Sequence, residues 1–346
     1  MTTTATTCEP ASGKERDDVT TTATTCEPSS DAVDVSRFVD PALPASWSRQ
    51  MVGLLQAGHY REGYEVLANH VPFVENMLRP YAECLAGKEN FWTRIHRAIT
   101  KHLDHSRPLR VLDVGCAIGC HAIELARRGH ETWGIDVLPA MIERGRELAD
   151  SLGLSERVHL VEGDVRYLDR FFSVQFFDAV VACDIFEHLD DAALGEMLAG
   201  LKRVMRPGGT LVVQTSPGRH YYWFEPRRWK LQALLAPMAW LPDRLFSAYV
   251  DALERWPLRR YRGEHVRFYR HEYGHINCTT QLHLRKLLVA AGLQQVRTHA
   301  EHTHPGSKDE GCMRAAWTRR LFGRKSAAAR NVYGIARTPV IADGNE

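Results

Sequence analysis

Between residues 110 and 215 the chain alternates short runs rich in β-branched residues with stretches of helical periodicity, and this alternation limits the folds open to it more than any other feature. The runs RVLDV, TWGID, VHLVEGD, FDAVVAC and TLVVQTS are separated by helical patterns over 124–128, 140–151 and 192–205. Near-continuous apolar strands joined by helices imply βαβ units and a parallel sheet covered on both faces. The expected fold class is therefore α/β, a doubly wound Rossmann-like sheet. In such a sheet the ligand sits outside the carboxyl ends of the strands, at the point where the strand order reverses.

The flanks divide by composition. Residues 1–45 are rich in Thr, Ser, Asp and Pro and hold few large apolar groups, so they read as a disordered tail. The nonapeptide TTTATTCEP occurs at 2–10 and again at 20–28, too short for a structural repeat unit and consistent with a duplicated start region. Residues 46–106 place apolar groups at helical spacing (Met51, Leu54, Leu55; Phe73, Met77, Tyr81, Leu85) and read as a helical cap. Within it Phe91 and Trp92 are the residues placed to approach a ligand, against the plainer reading of core aromatics. The sheet-forming core spans 107–215, an insertion spans 216–279, and 280–342 complete the core, with a closing strand expected over 331–338 at the sheet edge.

At 346 residues, with 44% apolar and 25% charged residues, the chain has the composition of a globular protein. A net charge of +2 argues against nucleic-acid binding by the surface as a whole. The eight cysteines form no CxxC pair, which points away from a zinc ribbon or a disulfide scaffold. The acidic N-terminal stretch fits no export or import signal, and no apolar run is long enough for a membrane span, so a cytoplasmic location is expected.

Chemistry concentrates at the strand ends. Asp113-Val114-Gly115-Cys116-Ala117-Ile118-Gly119 is a strand running into a tight turn of small residues, where the backbone can approach a ligand closely. Asp136 ends the next strand, 23 residues after Asp113, and a carboxylate there can accept both hydroxyls of a ribose. A dinucleotide site would want glycines where Ala117 and Cys120 stand, which weakens that alternative. Gly163-Asp164-Val165 ends the third strand with a carboxylate beside an aliphatic wall.

Taken in order, VLDVGCAIGCHAIELARRG, the GID and EGD strand ends, FDAVVACDIFEHL and RPGGTLVV resemble the class I S-adenosylmethionine-dependent methyltransferases, nearest to their ubiquinone-biosynthesis O-methyltransferase-like branch. The resemblance is strong over 109–215 and fainter over 274–296. It implies a seven-stranded sheet and S-adenosyl-L-methionine as cofactor. It further implies that Gly115, Cys116, Ala117 and Gly119 surround the methionine part while Asp113 orients its amino group. Asp136 with Val137 would hold the ribose, Gly163, Asp164 and Val165 the adenine, and the backbone near Cys183 the ammonium. Ala117 departs from the usual middle glycine, and its methyl restricts φ.

The implied activity is transfer of a methyl group to a small-molecule acceptor, at oxygen, with nitrogen- or carbon-directed transfer, a nucleic-acid or protein substrate, and a non-catalytic cofactor-binding module as the alternatives. A hydroxyl acceptor wants a base, and His188, in Asp184-Ile185-Phe186-Glu187-His188 after the fourth strand, is the candidate. Asp184, Glu187 and His188 would share one face of a helix and could hold a divalent metal, but three such residues commonly occur without one, and no metal is expected. The insertion is aromatic from Tyr221 to Leu241, with Arg227, Arg228 and Lys230 interleaved. It suits a bulky apolar acceptor, a lid packed on its own domain, or contact with a membrane surface, the last opposed by Pro226, Pro237 and Pro242, which interrupt any long helix. His275 and Asn277 would border the acceptor, while His220, His265, His271 and His283 match no metal spacing. Seven Arg or Lys and no acid lie between Gly311 and Ala342; a solvated surface explains them, and no nucleic-acid partner is expected.

Overall fold

A computed structural model of the chain describes residues 46–70, 73–224, 228–258, 274–301 and 316–340. The tail assigned to 1–45, together with His265 and His271, lies outside the described residues. Seven strands form one mixed sheet: β1 (Arg110–Val114), β2 (Glu131–Asp136), β3 (Val158–Glu162), β4 (Phe177–Cys183), β5 (Met205–Thr215), β6 (Gln294–Glu301) and β7 (Asn331–Arg337). Their order is β3-β2-β1-β4-β5-β7-β6. The first five are parallel, and β7 runs antiparallel to both of its neighbours. The expected Rossmann-like α/β fold is present, and the order reverses between β1 and β4, where a ligand crevice belongs.

One expectation needs correction. The closing strand is not at the sheet edge: β7 inserts between β5 and β6, leaving β6 outermost. The reason is visible in burial, since Asn331 to Gly334 are all buried whereas β6 is exposed or half-buried along its length. Alternating residues split cleanly between the two faces. Leu112, Val114, Val180, Ala182, Leu211 and Val213 share one core. Val111, Ala179, Val181 and Val212 point into another. That period of two is what a sheet covered on both sides requires.

Four helices precede the sheet: α1 (Ser46–Gln56), α2 (Tyr60–Ala68), α3 (Phe73–Leu85) and α4 (Phe91–Thr100). They do not stand apart from it. Met51, Leu55 and Leu67 join the core on one face, and Ile99 that on the other. α4 begins with a reciprocal cap in which Asn90 Oδ1 accepts from Thr93 N at 3.1 Å and Thr93 Oγ1 from Asn90 N at 3.0 Å.

The crossover helices are α5 (Cys120–Arg127), α6 (Pro139–Ser151) and α7 (Asp191–Val204). Within the insertion lie α8 (Trp229–Leu235) and α9 (Asp243–Arg255), followed by α10 (Gln281–Ala290) and α11 (Ala316–Phe322). α8, α9 and α11 close over a satellite core of Trp223, Phe224, Leu235, Phe246, Val250 and Phe322. No helix among the described residues is long and apolar enough to cross a membrane.

Candidate active site

The turn after β1 is built from left-handed residues in alternation: Gly115 at φ 69°, Ala117 at 49° and Gly119 at 73°. The N–H groups of Gly115, Cys116, Ala117 and Gly119 are all engaged within the protein, so the turn is held rigidly at the mouth of the crevice. At Gly115 any Cβ would come within 2.7 Å of the Ile185 side chain, so glycine is demanded by contact as well as by φ. Gly115 N and Cys116 N both donate to the Ile135 carbonyl, at 2.9 and 3.1 Å, which ties the turn to the end of β2.

Asp136 sits where these pieces meet. Its Oδ2 accepts from Ala117 N at 2.8 Å and its Oδ1 from Leu138 N at 3.0 Å. Burial raises its pKa, while the N–H groups of Leu138, Ala117 and Val137 oppose the rise. Only those of Ala117 and Leu138 reach hydrogen-bond geometry, one per oxygen, which leaves each oxygen a second acceptor position, the capacity a vicinal diol needs. Asp113, buried on β1, is pushed up to about 7 by desolvation, against the pull of the Ala122 N–H and with Asp136 adding repulsion.

Asp164 is placed at the end of β3 as the sequence implies, but its oxygens are already engaged. It caps the following 3₁₀ turn through Arg166 N at 2.9 Å, and the Arg166 guanidinium reaches both of its oxygens at 2.6 to 3.1 Å. Arg166 in turn lies over the Tyr60 ring at 4.9 Å. At Cys183 the thiol donates to Gln214 Oε1 at 3.0 Å and burial raises its pKa, so it is an unreactive thiol.

Across the crevice, Phe186–His188 forms a 3₁₀ turn rather than a longer helix, and Asp184 is left-handed at φ 49°. The expected shared face of Asp184, Glu187 and His188 is therefore replaced by another grouping. Glu187, His188 and His275 bring one potential ligand atom each within 4.8 Å of one another. Glu187 is fully buried, held by Thr215 Oγ1 at 2.8 Å and Ser216 N at 3.3 Å, and desolvation together with Asp184 pushes its pKa up. Asp184 accepts from Ser216 Oγ at 2.9 Å.

His188 Nδ1 lies 2.8 Å from the Tyr64 hydroxyl, and that hydroxyl is also 3.2 Å from the Gly274 carbonyl and 3.3 Å from that of His188. With His188 donating from Nδ1, the single Tyr64 O–H is free to reach one of the two carbonyls, and in that tautomer Nε2 is the basic nitrogen. Desolvation lowers His188 to about 4, with Asp184 pulling the other way. The imidazole is thus neutral at pH 7. His275, buried, packs edge-on against it at 4.7 Å. Asn277 does something else: its amide binds the Leu189 carbonyl and Asp191, clasping 274–277 onto the turn after β4.

Trp92 is buried and stacks on His96 and His121 at 5.1 and 4.9 Å, whereas Phe91 points outward. His220 and His283 serve ion pairs with Glu254 and Asp191. Sequence reasoning missed Tyr64, His121 and Arg166. Tyr64 is 124 residues from the histidine it touches, and no local pattern announces such a pair.

Residues 111–209 match the family described as "Methyltransferase domain". The match lies over β1 to β5, the parallel part of the sheet, and takes in less than half of the chain. Among curated proteins it is 36% identical over 110 residues to a probable tocopherol O-methyltransferase of Oryza sativa, covering 32% of this chain and 29% of that protein. It is 38% identical over 133 residues to a demethylmenaquinone methyltransferase of Deinococcus radiodurans, covering 38% and 52%. A ubiquinone biosynthesis O-methyltransferase of Azorhizobium caulinodans is 31% identical over 128 residues, covering 35% and 48%. The chain thus matches between about a third and a half of the length of these relatives. The crevice fits S-adenosylmethionine, the cofactor that the sequence resemblance implies: the left-handed turn, the spare acceptor positions of Asp136 and the buried Asp113 offer what an adenosyl group with a cationic amino acid requires.

Proposed function

We propose that the protein transfers the methyl group of S-adenosylmethionine to a small-molecule acceptor, releasing S-adenosylhomocysteine. The observation that supports this best is Asp136, held by the glycine turn with one acceptor position left on each oxygen. Asp113 takes the amino group of the methionine part, Gly115 to Gly119 approach its backbone, and the residues around Cys183 close the pocket. Asp164 contributes to the adenine only if Arg166 releases it.

Methyl transfer is an in-line displacement at carbon, so holding the nucleophile about 3 Å from the methyl is the main task. We infer an oxygen acceptor, with Nε2 of His188 taking its proton. Burial makes His188 a weak base, so a phenol, with a pKa near about 10, is within its reach where an unactivated alcohol is not. The proposal is therefore of an acceptor with an acidified hydroxyl.

Two measurements test it. Asp136→Ala should weaken S-adenosylmethionine binding about a hundredfold, because two charge-assisted hydrogen bonds are lost at about 1.5 kcal/mol or more each. Unchanged affinity would remove the cofactor reading. Methyl-labelled cofactor incubated with fractionated small metabolites should give a labelled ether, and a labelled amine or C-methyl product would replace the oxygen assignment.

A further inference from the structure

The aromatic stretch of the insertion divides into two populations. Tyr221, Trp223, Phe224, Leu231 and Leu235 are buried, most of them in the satellite core. Trp229, Leu234, Trp240 and Leu245 face solvent, joined by Trp256, Trp317 and Leu321. The tryptophans are 57% (Trp229), 77% (Trp240), 86% (Trp256) and 42% (Trp317) exposed, and they are the four exposed tryptophans among the described residues. Trp229 and Trp317 lie on α8 and α11, Trp256 directly follows α9, and Trp240 lies in the link between α8 and α9.

Helical spacing explains how each helix does this. α8 buries Leu231 and Leu235 and turns Trp229, Lys230 and Leu234 outward. α9 buries Phe246, Val250 and Glu254, leaving Leu245, Ala248, Ala252 and Arg255 as an outer stripe. α11 buries Phe322 and exposes Trp317, Arg320 and Leu321. The prolines separate these short helices instead of preventing an apolar outer surface.

The charge on this surface has one sign. Lys230, Arg244, Arg255, Arg320 and Arg324 are exposed, while no acid is exposed among the described residues of 228–258 and 316–329. The three acids present are turned inward: Asp243 accepts from Ser326 N at 2.7 Å, Glu254 pairs with Arg219 at 2.9 Å and His220 at 3.2 Å, and Asp251 lies 3.6 Å from His220. Lys230 lies over the Trp229 ring at 5.7 Å, so cation and aromatic present themselves together.

We propose that the three-helix group formed by α8, α9 and α11 docks on a lipid bilayer carrying anionic headgroups. Exposed tryptophans prefer the headgroup level, where the ring is half in apolar surroundings, and Lys and Arg add attraction to anionic lipid. A second copy of the chain is a poorer occupant, because a self-complementary face would set its uniform positive charge against itself. The inference does not depend on the methyl-transfer reading.

The test is sedimentation of the full chain with vesicles of phosphatidylcholine, with and without phosphatidylglycerol, at low and high salt. Binding is expected to the anionic vesicles, with the tryptophan emission shifted to the blue, and to fall at least about tenfold in neutral vesicles or high salt. Trp240→Ser with Trp256→Ser, and separately Lys230→Glu with Arg320→Glu and Arg324→Glu, should each weaken binding about tenfold or more while circular dichroism and cofactor affinity stay unchanged. Four results would overturn the proposal: failure of the wild type to sediment, salt-independent binding to neutral vesicles, binding untouched by both variants, or a dimer that the tryptophan substitutions dissolve.

Discussion

Ala117 is an alanine where the backbone asks for glycine, and replacing it should stabilise the protein. Its φ of 49° lies between the two left-handed glycines of the cofactor turn, and its N–H holds Asp136. An L-residue in that region loses about 1–2 kcal/mol to the contact between Cβ and carbonyl oxygen. Glycine relieves this, but loosens the unfolded chain at a cost of about 0.4–1 kcal/mol. The difference leaves Ala117→Gly more stable by about 0.5–1 kcal/mol, which for a chain of this size is about 1–2 °C in Tm. Urea titration should show the midpoint rising at constant slope, and isothermal titration should show S-adenosylmethionine affinity equal or higher. Ala117→Val supplies the opposite sign, since a β-branched residue is worse in the same region. A glycine variant that loses 1 kcal/mol or more, or a valine variant that loses nothing, would refute the left-handed turn as the source of strain.

Tyr64→Phe removes the hydroxyl that fixes the His188 ring, so kcat should drop about tenfold with KM for the cofactor unchanged, and equal loss in both would mean a structural role instead. Buried His188 and His121 are each depressed to about 4 from an unfolded value near 6.5. Their neutral burial therefore contributes stability that is whole above about pH 6.5 and is lost as pH falls through about 4; thermal melts that stay level down to pH 4 would refute it. Asp113, raised to about 7, has the opposite sign: its contribution is whole below the unfolded value near 3.8 and is lost as pH rises through 7. Asp113→Asn should therefore raise Tm of the ligand-free protein at pH 8, leave it unchanged near pH 4, and weaken S-adenosylmethionine binding at both.

The parallel core was readable because burial on both faces forces β-branched runs, and three of those runs ended where the strands end, at Val114, Asp136 and Cys183, while VHLVEGD ran two residues past the end of its strand at Glu162. The first crossover helix begins at Cys120, earlier than its periodicity suggested, since Gly119 in a left-handed conformation serves as its N-cap. Periodicity names a face but not what covers it. Nothing local says that β7 enters between β5 and β6, that Tyr64 reaches His188, or that Arg166 takes the acceptor positions of Asp164. The insertion was legible as aromatic but not as two populations, because inner and outer aromatics differ only in their phase around short, proline-broken helices.

The charges in the crevice make sense only with a cation among them. Desolvation raises the pKa values of Asp113, Asp136 and Glu187, with Asp136 adding repulsion at Asp113 and Asp184 at Glu187, and no Lys or Arg among the described residues offsets the rise. A sulfonium with an ammonium brings two positive charges into this space and leaves as a product with one. On the proposed function, the buried carboxyls that cost the ligand-free protein stability at neutral pH would favour the methylated cofactor over its demethylated product. On this view Asp113 is costly to fold and useful to keep, and strain at Ala117 and charge at Asp113 are two forms of the same compromise, stability given up where the ligand is to be held.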